Sequence, residues 1–128
     1  GSGILAIVGA KLGAEAVLAL DIDTLAVGIA QKNAVLNEVE NCITVRYNDL
    51  LTGIDGDYQL ITANLTSDLI INLAVDAYKR LTPEGYFLAS GIISKRQKDV
   101  EDALKKAGFT ILETQLEGDW VAITSRKE

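Results

Sequence analysis

At 128 residues and 48% hydrophobic composition, the chain is long and apolar enough for one folded domain rather than a disordered segment. It has no histidine and a single cysteine, which excludes Ser-His and Cys-His catalysis, His-ligated zinc and an internal disulfide; no metal site is expected. A net charge of −6 opposes a broad phosphate-binding surface and favours a cationic ligand or a basic protein partner, so direct nucleic-acid binding is not expected.

Gly1-Ser2-Gly3 opens the chain as a glycine turn. Ile4, Ile7 and Val8 follow at helical spacing, which predicts a helix over 3–12 stopped by Gly13. The apolar run Ala16–Leu20 reads as a buried parallel strand. Thr24 is the expected N-cap of a helix over 25–37, with Ala26, Ile29, Ala30 and Ala34 inward. Strands are expected at Ile43–Tyr47 and Tyr58–Ala63, and Cys42 between them and the helix reads as a small buried apolar residue. Thr66 or Ser67 caps the next helix, whose inward face is Ile70, Leu73, Ala74, Ala77, Tyr78 and Leu81. The stretch "TPEG" at 82–85 reads as a turn before a strand over Gly85–Ser90. Ser94 and Gln97 have the spacing of a capping box for a helix that ends at Gly108. Phe109–Leu116 and Trp120–Ser125, joined by Glu117-Gly118-Asp119, predict an antiparallel hairpin. No run approaches the roughly 18 apolar residues of a membrane span, and one thiol suits a cytoplasmic location.

This alternation predicts an α/β fold: a mostly parallel sheet, helices on both faces, and a terminal hairpin. Ligands of such sheets bind beyond the carboxyl ends of the strands. Polar residues fall at those positions: Asp21, Asp49 in "YNDLL", and Asn64 in "ANLTSD". An acidic residue about 20 positions after a glycine turn can accept both hydroxyls of a ribose. Each residue also has a local reading. Asp21 and Asp23 serve equally as caps or solvated charges, Asp49 as a turn residue, and Asn64 as an Asx turn into the following helix. Tyr86 and Trp120 read as packing residues.

The segment "GSGILAIVGAKLGAEAVLALDID" resembles the cofactor segment of class I S-adenosylmethionine-dependent methyltransferases. With "NAVLN", "NDLL", "ITANLTSDLI", "LTPEGYFLASGII" and "GDWVAI", the chain resembles the catalytic domain of the bacterial ribosomal-protein lysine methyltransferases that modify large-subunit protein eleven. The resemblance covers essentially the whole chain. It implies a Rossmann-like sheet, S-adenosyl-L-methionine as cofactor and a basic ribosomal protein as substrate. By the same resemblance, Gly1 and Gly3 belong to the glycine loop, Asp21 binds the ribose and Ile22 packs on the adenine. Asp49 accepts from the adenine amino group with Leu50 nearby, and Asn64 orients the attacking nitrogen. A buried, cation-bearing site lowers the pKa of a substrate lysine, so no strong base is implied.

In the family a strand ending in an acidic residue precedes the glycine turn and forms the middle of the sheet. A helix and a substrate-recognition domain come before it. The resemblance therefore implies that this chain lacks its first, central strand. Other readings stay open: a methyltransferase for another amine, a non-catalytic cofactor-binding fragment, or a nicotinamide-dependent oxidoreductase.

Overall fold

The computed structural model describes residues 3–128, which divide into two compact units, Gly1–Thr52 and Gly53–Glu128. The first unit contains α1 (Ile4–Lys11), β1 (Val17–Asp21), α2 (Thr24–Leu36) and β2 (Ile43–Tyr47). Its strands run parallel, in register from Val17 opposite Ile43 to Asp21 opposite Tyr47. A small core of Ala34, Val39 and Ile43 holds the unit together, with Ala6, Ile7, Ala10, Val17, Ala19, Cys42 and Val45 packed around it.

The helices are as expected in place and partly so in face. The buried side of α1 is the seam Ala6, Ile7 and Ala10, whereas Ile4 and Val8 are 65% and 46% exposed. In α2, Ala30 and Ala34 are buried, but Ile29 is 44% exposed. The start of α1 comes close to α2 at Gly3. A Cβ added to Gly3 would lie 3.0 Å from Ala30 Cβ, and Gly3 itself has φ +85°, a backbone conformation that other residues enter at a cost. Cys42 is only half-buried, its thiol pointing to the Val39 carbonyl at 3.5 Å. The cap of α2 is Asp23 rather than Thr24: its carboxylate accepts from the Leu25 N–H at 2.9 Å.

The second unit contains β3 (Tyr58–Asn64), α3 (Ser67–Arg80), β4 (Leu81–Ile93), a 3-10 turn (Ser94–Arg96), α4 (Gln97–Ala107), β5 (Thr110–Glu117) and β6 (Trp120–Arg126). Its sheet has the order β3-β4-β6-β5. β3 and β4 are parallel, while β6 is antiparallel to both β4 and β5. The expected terminal hairpin is present; β1 and β2 pair in parallel as expected, whereas the sheet of the second unit is mixed, with β3–β4 its one parallel pair among the described residues. Helix α3 buries Ile70, Leu73, Ala74 and Ala77, and α4 buries Val100 and Leu104. Phe87, Ala89 and Ile92 from β4 and Val121 and Ile123 from β6 supply the buried side of the sheet. Phe109 stacks edge-on against Tyr78 at 5.2 Å and tilted against Phe87 at 5.5 Å, which locks the start of β5 onto α3.

Two local expectations are corrected here, and a third is partly met. The "TPEG" stretch falls within the range of β4 but bends there as read: Glu84 has φ +69°, and the register slips between Leu81 opposite Tyr58 and Tyr86 opposite Leu60. The capping box of Ser94 and Gln97 does not form: the 3-10 turn intervenes, and the Gln97 amide donates instead to Glu101. Trp120 is 59% exposed, on a sheet side where Leu60 is also exposed, so it is not core.

Lys127 closes the second unit. Its ammonium donates to the carbonyls of Tyr78 at 2.8 Å and Leu81 at 2.9 Å, the last groups of α3, and lies 4.6 Å from the Tyr78 ring centroid. A cation at a helix C-terminus satisfies carbonyls the helix leaves unpaired. Replacing it by Met keeps the aliphatic stem and removes these bonds. Lys127→Met is expected to lower unfolding stability by about 1–3 kcal/mol in urea melts with an unchanged slope; an unchanged midpoint contradicts the clamp.

Candidate functional site

In the first unit the parallel register puts the ends of β1 and β2 on one rim. Asp21 is the last residue of β1, opposite Tyr47, the last of β2. The Asp21 carboxylate accepts from the Asp23 N–H at 2.9 Å, and Asp23 in turn caps α2. The chain thereby turns sharply after Asp21, leaving Ile22 57% exposed beside it. The cap reading thus applies to Asp23, whereas Asp21 belongs to the strand end.

The loop after β2 is pinned to the same rim by Asn48, a residue that the sequence reading passed over. The Asn48 N–H donates to the Asp21 carbonyl at 2.9 Å. Its side-chain amide donates to the carbonyls of Leu50 at 3.0 Å and Thr52 at 3.1 Å. The Thr52 N–H returns to the Asp49 carbonyl at 3.0 Å, closing a turn around exposed Asp49. Leu50 sits at φ +49°, an outlier for a bulky side chain that costs about 1–3 kcal/mol and persists only when neighbours enforce it. Asn48 is that neighbour. The only sequence signal was an Asn placed directly after a strand, where Asn commonly bonds nearby backbone.

Gly3 caps the start of α1, where the Ile7 N–H donates to its carbonyl at 2.9 Å. Gly1 lies outside the described residues.

In the second unit, Asn64 ends β3 opposite Ser90 of β4, again at a carboxyl-terminal rim of parallel strands. The Leu65 N–H donates to the Ser90 carbonyl at 3.1 Å. The Asn64 side chain is exposed and makes no hydrogen bond among the described residues, so the Asx-turn reading does not apply. Thr66 occupies the N-cap position of α3 in extended conformation without a side-chain cap bond. Arg96 supports this helix start from the turn after β4. Its guanidinium reaches Asp68 at 2.8 Å and Asp99 at 2.9 Å. The Asp68 bond, then the Asp99 bond, raise the guanidinium pKa further, so the bridge stays charged across the physiological range. Twenty-eight positions separate Arg96 from Asp68, a spacing with no periodic signal in the sequence.

Carboxylates only accept hydrogen bonds, so the first rim suits a ligand rich in hydroxyl and amino donors with an apolar face for Ile22. The second rim offers an uncommitted amide that can accept from an amine. Among the described residues no group of three His, Cys, Asp or Glu is placed to hold a metal ion, and no helix is long and apolar enough to cross a membrane.

The family model for ribosomal protein L11 methyltransferase (PrmA) matches residues 1–128. A ribosomal protein L11 methyltransferase of Listeria innocua serovar 6a is 47% identical over 128 residues, covering 99% of this chain and 41% of the relative. One of Carboxydothermus hydrogenoformans is 48% identical, covering 100% of this chain and 42% of the relative. The chain thus spans about two-fifths of the length of these curated relatives. The crystal structure of ribosomal protein L11 methylase from Lactobacillus delbrueckii subsp. bulgaricus superposes with a TM-score of 0.95 at 35% identity, covering all of this chain and 66% of that one. An RNA methyltransferase from Salinibacter ruber in complex with S-adenosyl-L-homocysteine matches with a TM-score of 0.78 over all of this chain and 76% of that one; at 18% identity it shows the fold alone.

Asn48→Ala removes the donors that hold Leu50 and Thr52. It is expected to destabilise the first unit by about 1–2 kcal/mol and to speed amide exchange at 49–52. Unchanged exchange there would show that the loop holds its shape without Asn48.

Proposed function

The chain belongs to the ribosomal protein L11 methyltransferase family, and on that premise we propose that it forms the cofactor-binding and catalytic part of an S-adenosylmethionine-dependent methyltransferase. Its substrate is a basic ribosomal protein, L11 in type, methylated on lysine or other amino nitrogens. The observation that carries this reading is the first rim: Asp21 with Ile22 beside it, and Asp49 with Leu50, tied together by the Asn48 N–H to the Asp21 carbonyl at 2.9 Å.

The donor set of an adenosine fits these residues. Asp21 would accept from the ribose hydroxyls, Ile22 and Leu50 would cover the adenine, and Asp49 would accept from its amino group. Gly3, with Gly1 before it, would let the backbone approach the amino acid portion without a side chain in the way. When bound, S-adenosylmethionine supplies a methyl group already activated on a sulfonium. The chain's own task is then orientation. The Asn64 carbonyl oxygen accepts a hydrogen bond from the substrate amine and turns its lone pair toward the methyl group. The amine must arrive unprotonated, which a dry site favours. The net charge of −6 suits a basic protein substrate, and the proposed setting is the cytoplasm.

The finer fold we propose is the mostly parallel sheet of the family, supported by the parallel pairing of β1 with β2 and of β3 with β4 within their own units.

Calorimetry with S-adenosylhomocysteine tests the site itself. Asp21→Ala is expected to weaken binding tenfold or more, on the order of 1–3 kcal/mol for a lost charged acceptor. Equal affinities would refute the ribose assignment. In a tritiated methyl-transfer assay on ribosomal protein L11, Asn64→Ala is expected to lose most turnover while keeping its cofactor.

A further inference from the structure

We propose that Gly91 is a positioning residue for the Asn64 amide, an inference that rests on the proposed role of Asn64. Gly91 directly follows Ser90, the strand partner of Asn64. It sits where β4 slips register against β6, between Ala89 and Ile92, and its φ is +81°. A Cβ built on Gly91 would lie 2.5 Å from Asn64 Oδ1, 2.9 Å from the Leu65 carbonyl oxygen and 3.3 Å from the Leu65 nitrogen. The Asn64 amide therefore rests on the bare Cα of Gly91.

That seat matters because nothing else fixes the amide. Asn64 ends its strand exposed and makes no side-chain hydrogen bond among the described residues. A bonded amide would be oriented by its partners; this one is oriented by packing, while its bonding capacity stays available for a substrate amine. The bond from the Leu65 N–H to the Ser90 carbonyl at 3.1 Å keeps the two strand ends in contact. The slip in β4 turns the chain so that a backbone without a side chain faces Asn64. A methyl group at position 91 has no room unless the Asn64 amide and the Leu65 carbonyl both give way, and a misplacement of about 1 Å in an orienting group costs up to roughly a hundredfold in rate.

The test is a double-mutant cycle on the protein expressed at the full length of its gene, reading kcat for methyl transfer to ribosomal protein L11 and Kd for S-adenosylhomocysteine. Gly91→Ala is expected to lower kcat by about tenfold to a hundredfold while Kd changes by less than about twofold. In an Asn64→Ala background the same substitution is expected to cost clearly less, because the amide it displaces is gone and only the Leu65 contact and the positive φ remain. An equal loss in both backgrounds would overturn the proposal, since it would mark a general effect on the fold. Full turnover by Gly91→Ala beside an impaired Asn64→Ala would overturn the role of Gly91 alone. Full turnover by Asn64→Ala would overturn the reading of the site, and the role of Gly91 with it. Side-chain 15N relaxation of Asn64 in the unsubstituted protein does not depend on any variant folding. An order parameter near the rigid limit of about 0.85 is expected, and one below about 0.6 would overturn the seat.

Discussion

Parallel strand pairing is the constraint on which the candidate site depends. Two parallel strands must end at the same edge, so whatever follows one strand meets whatever follows the other. In the first unit this brings Asp21 and the loop of Asn48, Asp49 and Leu50 to one rim, with Asp21 opposite Tyr47. In the second it brings Asn64 beside Ser90 and Gly91. The antiparallel hairpin of β5 and β6 has no such consequence: its members alternate in direction and serve the core through Val121, Ile123 and Ser125.

At each rim one residue has positive φ: Leu50 and Gly91. Leu50 is strained there and is held by hydrogen bonds from Asn48, whereas glycine adopts the conformation freely and leaves room where Asn64 packs. Strain such as that of Leu50 concentrates where a site needs fixed groups. The remaining polar groups nearby are spent on support: Asp23 on the start of α2, and Asp68 and Asp99 on Arg96. Asp49 and Asn64 stay exposed beside these supports.

Element type and order were legible because they follow from period and punctuation. β2 is found at Ile43–Tyr47 as read, and α4 ends at Gly108 in the left-handed conformation its glycine signalled. What escaped was tertiary. The inward face of α1 was read from its largest apolar residues, yet the residues that pack on the core of Ala34, Val39 and Ile43 are Ala6, Ile7 and Ala10. "TPEG" has turn chemistry and bends at Glu84, φ +69°, yet β4 resumes pairing on both sides of it, Leu81 with Tyr58 and Tyr86 with Leu60. The rim residues were legible as strand-end polar groups. Their supports, Asn48, Arg96 and Gly91, were not, because each acts on a partner through the folded chain rather than through a recurring spacing.

The central claim is that the first rim is a nucleoside-binding edge built on Asp21 and Asp49. A crystal structure of the gene-length protein with S-adenosylhomocysteine tests it most directly. The account predicts both ribose hydroxyls within about 3 Å of the Asp21 carboxylate, with the adenine against Ile22 and its amino group on Asp49. A nucleoside bound elsewhere, with Asp21 turned to water, would contradict it.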